Sequence, residues 1–170
     1  MNLEHFIARF SYNAETIRNM VQGIILEQAR WKPNPDSWSI LEVINHLYDE
    51  EREDFRQRLD LILHHPDQDW PAIDPQGWVT ARQYNQRDLH ASLANFLDER
   101  QKSLNWLQGL ENPNWRSAYN HPQVGPFYAA DMLAAWLAHD FLHIRQLTEL
   151  HYAYHAQQMR QYRVDYAGDW

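Results

Sequence analysis

The chain has 170 residues, of which 44% are hydrophobic and 22% charged, with no cysteine and a formal net charge of −8. The lack of cysteine excludes disulfides, thiolate metal ligands and a nucleophilic cysteine, and an acidic chain without a lysine or arginine cluster is a poor partner for nucleic acid or anionic membranes. No apolar run approaches the roughly 20 residues of a membrane span and the N-terminus does not resemble a signal peptide, so we expect one cytoplasmic domain over residues 1–170.

Two helices are predicted in the first half of the chain. The first spans Leu3 to Gln28, where apolar residues fall within a narrow arc at about 100° per residue. Two prolines in the linker 31–38 stop it. The second begins at Ser39 or Ile40, because Ser39 and Glu42 form an S-x-x-E capping box, and continues to about Leu63.

Two further helices are predicted in the second half. Residues 66–80 are rich in Pro and Asp and are expected to be irregular. The third helix spans Ala81 to Gln108, with Gly109 as a C-terminal cap, and the fourth begins near Phe127 to Asp131 and continues through Leu150. The tail, residues 157–170, has no clean period and could pack on the bundle or mediate self-association. Because no strand pattern is found, the fold class is all-α, a four-helix bundle with an extra C-terminal tail.

Two charged residues lie on the apolar stripes of these helices. Arg100 is at the centre of the stripe of the third helix, and Glu51 is on that of the second. A long basic side chain in such a position either reaches out to solvent or meets a carboxylate or an anionic ligand. The pattern therefore predicts a Glu51–Arg100 ion pair, with binding of an anionic substrate group by Arg100 as the alternative.

His139 and His143 lie one turn apart on the fourth helix and face the interior. Two imidazoles at this spacing can bind one metal ion without distorting the backbone, although two hydrogen-bonded core histidines fit the spacing equally well. A zincin protease is disfavoured, because Asp140 stands where the H-E-x-x-H motif has its glutamate. His151 and His155 repeat the spacing but point to the side of the helix, so we interpret them as surface or interface residues.

Three groups of residues form one pattern: Trp38-Ser39 with Glu42-Val43, His46-Leu47 with Glu50, and His139-Asp140 and His143 with Gln146. Together they resemble the DinB superfamily over nearly the whole chain. The resemblance implies a four-helix bundle with up-down-down-up connectivity, usually dimeric, that binds a divalent metal through three histidines. One ligand comes from the second helix and two from the fourth, which map onto His46, His139 and His143.

Three neutral imidazoles would leave the metal at least one open position, which is the catalytic arrangement. Zinc is the first prediction, with nickel, manganese or iron as alternatives. A water bound there would have its pKa lowered to roughly 7, and a bound thiol would be deprotonated. The resemblance implies a thiol-dependent S-transferase or isomerase that acts on a small electrophile with a low-molecular-weight thiol as cosubstrate. A metal-dependent hydrolase and a non-catalytic stress-response or binding protein remain open.

Glu50 and Gln146 lie one turn after His46 and His143, respectively. Either side chain could orient a ligand imidazole or reach a metal-bound water, although Glu50 equally fits a solvated acidic face in the run 49–54. With Arg100, they are the predicted catalytic residues. We expect a homodimer that acts on a small molecule.

Overall fold

The computed structural model describes residues 1–168. Helices dominate it, and a small hairpin joins the last two of them. In chain order the elements are α1 (Leu3–Val21), α2 (Leu26–Arg30), α3 (Ile40–Glu50), a π-helical turn (Glu51–Phe55), α4 (Arg56–His64), α5 (Pro75–Ala81), a 3-10 turn (Tyr84–Gln86), α6 (Leu89–Gln108), β1 (Ala118–His121), β2 (Gly125–Tyr128), α7 (Ala129–Gln158) and a 3-10 turn (Asp165–Ala167).

The second predicted helix is confirmed at its first residue. Ser39 Oγ accepts from the Glu42 N–H at 3.1 Å, and the Glu42 carboxylate accepts from the Ser39 N–H at 2.7 Å, which completes the capping box. From there α3, the π-helical turn and α4 follow without a break to His64. The third predicted helix is shorter than expected, because Asp88 caps α6 by accepting from the Ala91 N–H at 2.8 Å.

Three predictions about the connections are wrong. The first helix ends at Val21, since Gly23 takes a left-handed φ of 85°, and α2 follows as a separate turn. The region 66–80 contains the start of α5, where Asp74 accepts from the Gly77 N–H at 2.9 Å. Residues 118–128 form an antiparallel hairpin, so the chain is mostly helical rather than purely α. Its four-residue strands are too short for a period of two to be recognised.

The long helices bury two apolar clusters, one at each end of the bundle. One cluster includes Ile17, Ile44, Phe96 and Leu147, and the other includes Phe10, Phe55, Leu104 and Trp136. Between them, each long helix contributes buried polar residues. This polar layer comprises Asn13 of α1, Asp49, Glu50, Glu51 and Asp54 around the π-helical turn, Arg100 of α6, and Asp140 and His143 of α7.

The end of the chain does not pack on the bundle in the part that the structure describes. Residues 160–168 are exposed, including Tyr162, Val164 and Tyr166, and the last two residues of the predicted tail lie outside the described range. Among residues 1–168 no helix combines the length and apolarity that crossing a membrane requires. The up-down-down-up order of the helices stays a prediction.

Candidate metal centre

The structure brings the three predicted metal ligands together in the polar layer. His46 projects from α3, and His139 and His143 project from successive turns of α7. The His139 Nε2 atom lies 3.2 Å from His46 Nε2 and 3.0 Å from His143 Nε2. One ring nitrogen from each histidine lies within 4.8 Å of the other two, so a single cation could contact all three.

The protonation of these rings suits a cation. Burial, followed by the neighbouring His143, lowers the pKa of His46 to about 3. Burial, followed by His143 and His46, lowers the pKa of His139 to about 2, and burial also lowers the pKa of His143. All three imidazoles are therefore neutral at pH 7, and each can offer a nitrogen lone pair to a metal.

Gln146 fixes the orientation of one of the three rings. The Nδ1 of His143 lies 2.8 Å from Gln146 Oε1, and since an amide oxygen only accepts, Nδ1 must carry the proton. The lone pair of His143 then lies on Nε2, which faces the other two histidines. By contrast, the buried Nδ1 of His46 has no hydrogen-bond partner among the described residues. Its ring is held by aromatic packing, 4.8 Å from the ring of Trp38.

The three rings form the floor of an open cavity of about 950 Å³. Glu50 and Gln146 also line it, as does Trp38 from the loop before α3. The other lining residues include Glu149, Leu150 and Tyr152 of α7, Pro33 and Asp36 of the loop before α3, and Pro75 and Gln76 at the start of α5. The lining residues of this loop and of α5 could not be predicted from the sequence, because only tertiary packing brings them beside α7.

Glu50 is buried at the edge of this cavity and is not on a solvated acidic face. Its side chain is 4% exposed, and its Oε1 atom has no hydrogen-bond partner among the described residues. Burial, followed by the adjacent Asp54 carboxyl group, raises the pKa of Glu50 to about 8. Glu50 therefore faces the metal centre as a protonated acid at neutral pH.

Arg100 is not among the residues that line the cavity, and its catalytic role stays a prediction. The side chain is 1% exposed and forms the predicted pair with Glu51, at 2.7 and 2.8 Å. A second pair with Asp140, at 2.7 Å for both bonds, was not predicted. This pairing also occupies the residue that stands in place of the zincin glutamate.

The second histidine pair of α7 is separate from the centre. His151 lies 2.7 Å from the Met20 carbonyl oxygen and 3.0 Å from Gln28 Nε2, so it ties α7 to α1 and α2. His155 is exposed. Neither residue lines the cavity. His155 has the exposure expected of a surface residue, whereas His151 is half-buried between helices of the same chain.

The fold and the site together define a helical-bundle protein with a candidate three-histidine metal centre. A model of the DinB superfamily matches residues 9–147, and this chain belongs to that superfamily, as its sequence motifs predicted. The structure is also similar to that of YfiT from Bacillus subtilis, with a TM-score of 0.77 and 18% identity over 92% of this chain and 87% of YfiT. YfiT is described as a probable metal-dependent hydrolase with an unusual four-helix bundle topology. At this identity the likeness establishes a shared fold. No curated protein sequence matches the chain.

Replacing Glu50 with glutamine should reveal its raised pKa as a pH-dependent gain in stability. Unfolded Glu50 ionises near its ordinary pKa of 4.5, whereas the folded residue holds its proton to about pH 8. The wild type therefore takes up a proton on folding between these values, and its stability falls as the pH rises, by up to about 1.4 kcal/mol per pH unit from this group. Glutamine has nearly the same shape as glutamic acid but does not titrate, so its contribution to stability does not change with pH.

Urea unfolding of the metal-free proteins across this pH range measures the effect. The advantage of Glu50→Gln over the wild type should grow from pH 4.5 to about pH 8 and stay constant above it. Glu149→Gln is the matched control, since Glu149 also lines the cavity but its side chain is 51% exposed. A pH-independent difference for Glu50→Gln would show that its carboxyl group titrates normally.

Proposed function

We propose that this protein is a metal-dependent enzyme in which His46, His139 and His143 hold one divalent cation at the floor of the substrate cavity. The observation that carries the proposal is the convergence of three neutral ring nitrogens beneath an open cavity of about 950 Å³. A structural metal site is usually closed by a fourth protein ligand, whereas three ligands with an accessible face are typical of catalysis. Zinc is the first choice, because imidazole nitrogen suits it well.

When bound, such a cation would polarise a substrate carbonyl and lower the pKa of a water or thiol. The side chains divide the remaining tasks. Gln146 orients His143 through the Nδ1 hydrogen bond. Glu50 holds a proton at the cavity edge and can donate it to a leaving group, after which its carboxylate can accept one. Trp38 packs beside two of the rings, with its centroid 4.8 Å from that of His46 and its plane parallel to that of His143 at 6.4 Å.

Hydrolysis is the first reaction type proposed. It needs water as the only second reactant, and YfiT, which shares the fold, is described as a probable metal-dependent hydrolase. Thiol-dependent S-transfer or isomerisation is the second. A cavity of about 950 Å³ is at the upper end of the size of small-molecule sites, so it has room for a thiol beside an electrophile. Because the chain has no cysteine, that thiol would come from solution. A cytoplasmic homodimer is the proposed form of the enzyme.

Turnover by the zinc-loaded protein distinguishes the two reactions. A panel of esters, amides and small electrophiles is assayed with and without an added low-molecular-weight thiol. Turnover without thiol supports the hydrolase, and turnover only with thiol supports the transferase. Either activity should disappear in the His46→Ala/His143→Ala double variant. Activity that survives in that variant would overturn the proposal, and metal binding without any turnover would favour a non-catalytic binding protein.

A further inference from the structure

A row of ionisable side chains extends away from the metal centre along α3 and α4. Its members, His46, Glu50, Asp54 and Arg58, follow one another at intervals of four residues, with the π-helical turn between the second and the fourth. Glu50 lines the cavity, whereas Asp54 and Arg58 do not. Asp54 is 7% exposed, so the row places ionisable groups in the protein interior next to the cavity.

The row also collects nearly all the unsatisfied polar atoms among the described residues. Among the described residues, five buried side-chain nitrogen or oxygen atoms have no hydrogen-bond partner. Four belong to the row: His46 Nδ1, Glu50 Oε1, Asp54 Oδ1 and Arg58 Nε, of which the last two lie 2.9 Å apart as an ion pair. The fifth is Nε1 of Trp70, whose ring lies 4.8 Å from the Arg58 guanidinium carbon. Buried polar atoms are normally satisfied. Because Asp54 and Arg58 pair with each other, the carboxyl oxygen of the row that is left without a partner among the described residues is Oε1 of Glu50, which lines the cavity.

Glu50 and Asp54 are within hydrogen-bonding reach of each other. Ionising both carboxyl groups at this separation costs free energy because the two negative charges repel. A single proton between them replaces this repulsion with a hydrogen bond. Arg58 supplies the balancing charge, with its Nε atom 2.9 Å from Asp54 Oδ1. It is anchored by its Nη2 atom, which donates to the Pro71 carbonyl at 3.3 Å.

We propose that Glu50 and Asp54 share one proton, balanced by Arg58, and that this row supplies a proton to the metal cavity and takes it back. Glu50 is the residue that faces the reacting groups. Asp54 and Arg58 are positioning residues that act through it. The inference deepens the proposed function and rests on it for the role of the proton, but the shared proton itself exists with or without a metal.

The proton balance needs only the substrate and the water or thiol that attacks it. Glu50 carries the proton on one carboxyl oxygen and donates it to Asp54 while the site is at rest. In the reaction the same proton passes to the leaving group of the substrate, and the resulting pair of carboxylates is held by Arg58. A proton released from the nucleophile restores Glu50. Glu50 would therefore act first as a general acid and then as a general base at the same position.

Carboxyl carbon NMR of the metal-free and zinc-loaded proteins, titrated from acid to alkaline pH, tests the proposal directly. In the wild type, the Glu50 carboxyl carbon should titrate near pH 8. The charges that face Glu50 are those of Asp49 on α3, Asp54 in the π-helical turn and Arg58 on α4. Asp54→Asn removes a like charge, so the pKa of Glu50 should fall by at least about one unit. Arg58→Gln removes the balancing charge, so the pKa should rise.

The opposite signs of these two shifts separate the proposal from a purely structural role. Local opening of the site would move the pKa of Glu50 toward its ordinary value in both variants, and independence of the three groups would move it in neither. Either result would overturn the shared proton. Asp60→Asn is the control: Asp60 lies on α4 like Arg58 but is exposed, 2.9 Å from His64 Nδ1, and its replacement should leave the pKa of Glu50 unchanged. The titration of the metal-free protein can be measured even if no metal binds. A failure of the proposed metal-dependent function is therefore distinguishable from a failure of the shared proton.

Discussion

Arg100→Met is expected to lower the free energy of unfolding by about 3–5 kcal/mol, because it leaves two buried carboxylates without their counter-charge. Arg100 binds Glu51 with two hydrogen bonds and Asp140 with two more, all of 2.7–2.8 Å. The methionine side chain can fill the space of the arginine stem but cannot replace these four bonds. Because many domains are stable by only about 5–15 kcal/mol, this loss could unfold a large fraction of the protein.

The rest of the network makes the loss hard to accommodate. Trp136 Nε1 donates to Glu51 at 3.1 Å, and Asn13 Nδ2 donates to Asp140 at 3.2 Å. Arg100 thus connects α6 to the π-helical turn and to α7, and Asn13 adds α1. Since the polar layer lies between two apolar clusters, water cannot easily enter to solvate the abandoned charges.

Urea unfolding measures this effect, with Arg145→Met as the control. Arg145 also pairs with a carboxylate, Glu149, but at 3.4 Å and with both side chains exposed, so its loss should cost less than about 1 kcal/mol. Adding Glu51→Gln and Asp140→Asn to Arg100→Met should recover part of the lost stability by removing the unpaired charges. Equal stability of Arg100→Met and Arg145→Met would contradict the buried network.

His143→Ala is expected to weaken zinc binding by at least about 100-fold, because it removes one of three ligands. Loss of an outer partner of a ligand typically costs 10- to 100-fold in metal affinity, and loss of the ligand itself should cost more. Gln146→Ala, which removes only the acceptor for His143 Nδ1, should therefore fall between the wild type and His143→Ala. Competition with a chromophoric chelator gives the three dissociation constants.

His151→Ala is the matched control for this series. His151 lies on the same helix and has a partner at the same spacing in His155, but it contacts Met20 and Gln28 instead of the centre. Its replacement should leave the zinc affinity unchanged and cost about 1 kcal/mol of stability for the lost hydrogen bonds. Equal losses of affinity in His151→Ala and His143→Ala would mean that the metal does not bind where we place it.

The features that could be predicted from the sequence are those that local patterns determine. The start of α3 followed from the capping box of Ser39 and Glu42, which involves neighbours three residues apart. The Glu51–Arg100 pair followed from two charged residues on apolar stripes, since such residues must find a partner when the stripes are buried. Asp140 was missed because its position beside His139 suggested comparison with a protease motif and gave no reason to connect it with Arg100.

The site was only partly predictable, for a physical reason. Angular placement separated His139 and His143 from the second histidine pair, because α7 presents one side to the interior. It did not identify His46, which lies off the centre of the apolar stripe of its helix. α3 packs against α6 on one side and against α7 on another, so a residue on its flank can still face the centre. His46 came instead from the family resemblance, and Asp54 was not identified at all.

X-ray absorption at the zinc edge of the loaded wild-type protein tests the metal centre itself. One zinc per chain is expected, with three imidazole nitrogens at about 2.0–2.1 Å. The imidazole signal should be lost in the His46→Ala/His143→Ala variant. A coordination shell made only of oxygen, or the same imidazole signal in wild type and variant, would contradict a centre built from His46, His139 and His143.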